Sequence, residues 1–166
     1  MATLPRLALE YIAAYQALQD LTPIAADCGK LCGARCCSGD DETGMILFPH
    51  EALLVHKAGY QITRADLMGL PVEFAVCSGR CDRRLRPLSC RIYPYAPILR
   101  DGVVEVIPDP RAKPFCPLLL PEAEPYIQPA YLETIRAVFQ KLNAYPAMHR
   151  FLERYTLMLC EYQKFM

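Results

Sequence analysis

Between Cys28 and Gly44 the chain reads CGKLCGARCCSGDDETG, a stretch with four cysteines and no apolar periodicity. A segment of this kind cannot order itself by burying side chains. Something else has to hold it, and the group on offer is the thiol. A second such stretch, 77–94, carries Cys77, Cys81 and Cys90, and Cys116 lies beyond it. The ninth cysteine, Cys160, stands alone beside Leu159 in a helical pattern and is expected in the core. The core must therefore come from the flanking sequence. Of the 166 residues 53% are hydrophobic and the mean hydropathy is +0.10, enough for one self-supporting domain. No linker divides the chain, so 1–166 reads as a single domain, with a cysteine-bearing region 28–117 between helices over 4–21 and 130–165.

Whether the thiols pair or bind metal depends on the compartment. The opening, MATLPRLALEYIAAYQALQD, places Glu10 inside its apolar stretch and lacks a charged leader and a small-residue cleavage site. No apolar run is long enough to span a bilayer. The expected setting is the cytoplasm, where clustered cysteines serve as metal ligands more than as disulfides. Lys plus Arg and Asp plus Glu are 18 each, so no net field draws the chain to nucleic acid or to an acidic membrane. A metal ion is the expected partner.

Periodicity outlines the rest. Leu4, Leu7, Ala8, Tyr11, Ala14, Tyr15, Leu18 and Leu21 form one helical stripe that Thr22-Pro23 ends. GMILF, 44–48, reads as a short strand, and Pro49 as the first residue of a helix running to about Gly59. Thr63 with Asp66 resembles another helix start. YAPIL and VVEVI flank Asp101-Gly102, a hairpin signal. The proline-dense 108–129 reads as irregular. Two helices follow, one on Leu132, Ile135, Val138, Phe139 and Leu142, the other from Pro146 on Phe151, Leu152, Tyr155, Met158, Leu159 and Tyr162. The expected fold class is mainly α with small β content, helices packed around cysteine-rich metal-binding loops and one short hairpin.

The candidate ligands are Cys28, Cys32, Cys36, Cys37, Cys77, Cys81, Cys90 and Cys116. A tetrathiolate needs sulfurs about 2.3 Å from one zinc on a backbone that curls around it. Gly29, Gly33 and Gly79 permit such turns. Adjacent Cys36 and Cys37 diverge in either regular conformation, so they suit two sites, or one ligates while the other packs. Two tetrathiolate sites, or one cluster and one zinc, both satisfy the count. Arg35, Arg80, Arg83, Arg84, Arg86 and Arg91 lie within a few residues of the candidates, where cations lower thiol pKa and offset the negative charge of a thiolate site.

Cys28-x3-Cys32-x3-Cys36-Cys37, the run Arg86-Pro87-Leu88-Ser89-Cys90-Arg91-Ile92-Tyr93-Pro94, and Cys116-Pro117 together resemble the YkgJ family, a zinc- or iron-chelating domain family with a CxxCxxxCC opening and a later RPxxCRxYP stretch. Ile46-Leu47-Phe48-Pro49-His50-Glu51 is similar to the segment that follows the family's cysteine pair. The first cysteine gap is three residues here and two in the family's pattern. The resemblance spans roughly 28–117 and implies eight metal-binding cysteines. Flagellin lysine methylases carry a related module, an analogy that keeps an enzyme in view.

Zinc is the expected metal, because closed four-cysteine zinc sites demand no special surroundings; the alternative is a 4Fe-4S cluster in electron transfer or in an enzyme. His50 could reach a metal but reads as a cap or surface residue, His56 and His149 as ordinary helix positions, and Glu51 as the cap of its own first turn. Asp40-Asp41-Glu42 reads as a solvated loop tip, and Tyr93 and Tyr95 as rings packed over the site. Cys28-x3-Cys32 begins like the radical S-adenosylmethionine motif, but Cys36 falls one residue too far, and no phosphate-binding glycine loop or GxSxG is present.

Overall fold

The computed structural model describes residues 6–37, 44–55, 58–79 and 81–165. Leu4, Asp40, Asp41, Glu42, His56 and Arg80 lie outside the described residues. Helix α1, Arg6–Ala17, buries Leu7, Ala8, Tyr11 and Ala14 on the expected stripe, and Leu18 continues it. Helices α5, Pro129–Leu142, and α6, Pro146–Gln163, each begin on a proline, whose missing N–H costs nothing there. They bury Tyr131, Ile135, Phe139 and Leu142, and Met148, Phe151, Leu152, Tyr155 and Leu159. Phe48 is the keystone between them. Its ring centroid lies 4.8 Å from Phe139 and 5.1 Å from Phe151. Truncating such a ring to alanine costs about 3–5 kcal/mol.

The mainly α expectation is corrected by five described strands in two antiparallel sheets. Strands β1 (Gly44–Ile46), β2 (Gln61–Leu67) and β3 (Leu70–Val76) form one sheet in the order β1-β3-β2. Thr63 to Asp66 thus lie inside a strand and start no helix. The hairpin turns on Met68 and Gly69, at φ 51° and 83°, and the Asp66 carboxylate accepts the Gly69 N–H at 2.9 Å. Positive φ at both central residues matches the twist of the flanking strands. Gly44 begins β1 because a Cβ there would run into the Ala75 carbonyl across the ladder.

The helix expected from Pro49 shrinks to α3, Ala52–Val55. His50, at φ 66°, is left-handed and breaks any helix continuing from Pro49. Strands β4 (Tyr95–Arg100) and β5 (Val103–Pro108) form the second sheet, joined by Asp101 and Gly102 at φ 51° and 79°. Its buried residues, Tyr95, Ala96, Ile98 and Val104, share one core with α1, α5 and α6. The cysteine segments hang from this frame. Among them are the four-residue helices α2, Gly29–Cys32, and the five-residue α4, Leu88–Ile92.

Candidate metal centre

Cys28 and Cys32 are one helical turn apart on α2, so their thiols share a side. Gly33, at φ 63°, closes that turn and sends the chain into a 3-10 turn, Arg35–Cys37. There the Cys36 and Cys37 sulfurs stand 3.9 Å apart. All nine cysteines are free thiols. Seven of the eight candidates are half-buried and Cys36 is exposed.

Electrostatics divides the eight. Burial pushes the Cys28 thiol up, with Cys32 adding to it, and burial likewise raises Cys116, with Cys32 and Cys28 adding. Cys36 is raised first by its bond to Cys37, then by burial, and feels Cys28 and Cys32 as well. Cys90 is raised by burial and then by Cys37 and Cys81. Cys81, Cys90 and Cys77 all act on Tyr60. Cys28, Cys32, Cys36 and Cys116 thus neighbour one another, Cys37 neighbours Cys81 and Cys90, and the Cys36–Cys37 contact bridges the two groups. A cavity of about 80 Å³ is lined by Cys28, Cys32, Cys36 and Cys116 with Cys90, and one of about 580 Å³ by Cys37, Cys77, Cys81 and Cys90 with Cys36. The vicinal pair is the seam. Cys37 lies well below the ordinary thiol range, through its bond with Cys36 and then the charges of Arg86 and Arg83.

Few of the loop arginines serve the sulfurs directly. The Arg86 Nε–H donates to the Cys81 sulfur at 3.2 Å. Arg84 is taken up by Asp82, and Arg83 lies 3.8 Å from Asp27. Arg91 donates to the carbonyls of Arg86 and Arg84 at 2.8 and 2.7 Å and caps the Tyr15 ring, so it shapes the loop. Arg35 lines both cavities.

Glu51 caps its own turn, accepting the Phe48 N–H at 3.0 Å, and does more. It is fully buried and reaches beyond its own turn to α4, where it accepts the Leu88 N–H. Burial raises its pKa despite that bond and those from Tyr15 and Phe48. Tyr93 lines both cavities and stacks on Phe115. Tyr95 instead faces the core against Tyr131. His50 lines a separate groove with Arg64 and Arg150, and His149 pairs with Asn143 at 3.0 Å. Cys160 is exposed, a correction: the buried face of α6 runs through Tyr155 and Leu159, and the next residue is turned about 100° away. Tyr60 had no signal in the sequence, being a lone aromatic after Gly59. Neither had Arg111, which lines the larger cavity while paired to the buried Asp109 at 2.6 Å.

Among the described residues no three cysteine, histidine or carboxylate side chains stand closed around a common point as metal ligands. The donor chemistry nonetheless suits a thiophilic ion. Thiols from three stretches face shared space, no disulfide consumes them, and cationic Arg86 adjoins them. Among the described residues no helix is long and apolar enough to cross a membrane. Comparison with protein-family models, with curated proteins and with solved structures finds no match for this chain.

Proposed function

We propose that this protein holds zinc on cysteine thiolates, as a structural or chelating centre in a reducing compartment, in the manner of the YkgJ family it resembles. The observation that carries the reading is the gathering of eight free thiols, from segments up to 88 residues apart in sequence (116 − 28), on two adjoining cavities. The loop helices α2 and Arg35–Cys37 bury no residue of their own, so metal bonds would supply their ordering energy. Two ions would each take four thiolates, Cys28, Cys32, Cys36 and Cys116 for one, Cys37, Cys77, Cys81 and Cys90 for the other. Metal analysis of protein purified without oxygen tests this. The expected result is two equivalents of zinc in a colourless protein, and a chain that retains no metal overturns the reading.

A second reading rests on the cavity of about 580 Å³, which is larger than one ion requires. A 4Fe-4S cluster on Cys37, Cys77, Cys81 and Cys90 would fit the same donors, with Tyr93 and Phe115 excluding water. The same purification then yields a brown protein with broad visible absorbance.

A further inference from the structure

Tyr60 lies between Gly59 and the start of β2, and its ring packs in a small core cluster with Leu47, Val55 and Ala75. Its residue exposure is 9% and its hydroxyl is buried, yet that hydroxyl makes no hydrogen bond among the described residues. A buried hydroxyl left unpaired costs about 1–3 kcal/mol. Cys77 and Cys81 pack against the same cluster, and with Cys90 they line the larger cavity beside Tyr60. A neutral thiol accepts hydrogen bonds weakly, whereas a thiolate accepts them well. A sulfur bound to metal is a thiolate and would offer the unpaired hydroxyl its acceptor.

We propose that Tyr60 is an outer-sphere donor to the Cys81 sulfur of the metal-loaded site, an inference that rests on the metal-binding reading above. Cys81 already accepts from the Arg86 Nε–H at 3.2 Å. With two donors it becomes the least electron-rich thiolate of its set, and both donors come from outside the ligand group. Tyr60 stands just before β2 and Arg86 in the loop before α4, so the pair also ties the sulfur to two separate parts of the frame. Hydrogen bonds to ligating sulfurs reduce the charge they pass to the metal and set potential and exchange.

The test uses Co(II) as the probe on the full chain, with Tyr60→Phe and, as a packing control, Val55→Ala. Tyr60→Phe keeps the ring and removes only the donor. Its sulfur-to-cobalt charge-transfer band is expected to move to longer wavelength, with cobalt affinity weakened about tenfold. In peptide maps of the loaded protein, Cys81 should be alkylated faster relative to Cys77. Val55→Ala should lower stability without moving the band or that ratio. A loaded Tyr60→Phe protein with the wild-type band and labelling ratio overturns this assignment alone, as does an equal shift in Val55→Ala. A wild-type chain that takes up no Co(II) overturns it together with the metal reading.

Discussion

The carboxylate of Glu51 accepts the backbone N–H of Leu88 at 2.6 Å, across 37 residues of sequence. The same oxygen takes the Tyr15 hydroxyl at 2.7 Å, and the other oxygen takes the Phe48 N–H at 3.0 Å. Leu88 opens α4, and α4 carries Cys90. One buried acid therefore joins α1, the turn after β1 and the segment that presents a candidate ligand.

Replacing that acid should be felt in stability first. Glu51→Gln keeps the shape but turns an amide N–H₂ toward one former donor, leaving a buried N–H unpaired at a cost of about 1–3 kcal/mol. Glu51→Ala should cost more, since it strands all three donors. Burial raises the Glu51 pKa, so the folded state favours the proton. That contribution is complete below the ordinary value of 4.5 and is lost as pH rises through the higher folded value. Denaturant unfolding should show wild-type stability declining over that window, and Glu51→Gln should lack the decline.

Cys36→Ser and Cys37→Ser should empty different centres. Each single mutant is expected to lose about one equivalent of zinc and the double mutant about two. Their sulfurs lie 3.9 Å apart, close to the edge of about 3.8 Å within a single tetrathiolate with 2.3 Å bonds, so one shared shell is the competing outcome. If both single mutants deplete the same single metal, the pair belongs to one shell and the division at the seam is wrong.

Chelation should loosen the cysteine segments and spare the frame. Helix α2 and the turns at Arg35–Cys37 and Arg83–Leu85 bury no residue, whereas α5 and α6 are packed around Phe48. Limited proteolysis after metal removal is expected to cut within 28–37 and 77–90, while the helical circular dichroism signal persists. Equal protease resistance with and without metal would show that the centre has no structural role.

Metal affinity should fall as pH falls. Cys28, Cys90 and Cys116 sit above the ordinary thiol value because they are buried, so each holds a proton that metal must displace. Every proton released on binding weakens affinity by about tenfold per unit of acidification. Competition titrations with a coloured zinc chelator at several pH values measure the number released. A flat profile below neutrality would mean these thiols are not ligands.

The helices α1, α5 and α6 and the β4–β5 hairpin were legible because each is written locally. Apolar stripes, prolines at helix starts and an Asp-Gly turn need no distant partner. The β2–β3 hairpin was hidden because its turn uses Met68 at positive φ, a residue that carries no turn signal. Thr63 and Asp66 meanwhile imitate a helix cap, yet Asp66 spends its carboxylate on Gly69. Glu51 was legible as a cap but not as the cap of α4, since that bond depends on the tertiary fold. The eight candidate cysteines could be read off as a group. Their division into sets could not, because Cys116 reaches the α2 thiols and Cys37 reaches Cys90 only through folding.

At the second sheet, the Leu99 N–H is accepted by Thr156 Oγ1 at 2.8 Å and the Val104 N–H by Gln140 Oε1 at 2.9 Å. Leu99 and Val104 face each other across the hairpin, so both N–H groups point outward, one from each edge. An outward N–H on a two-stranded ribbon is an invitation to a strand from another molecule. Here α5 and α6 each lend a side chain to close it. The helix that seals the β4 edge is synthesised after the strand it covers. Until it docks, a nascent chain presents an open strand edge with which a second such chain could pair. Thr156 and Gln140 thus guard against association, and a chain truncated before α6 is expected to precipitate.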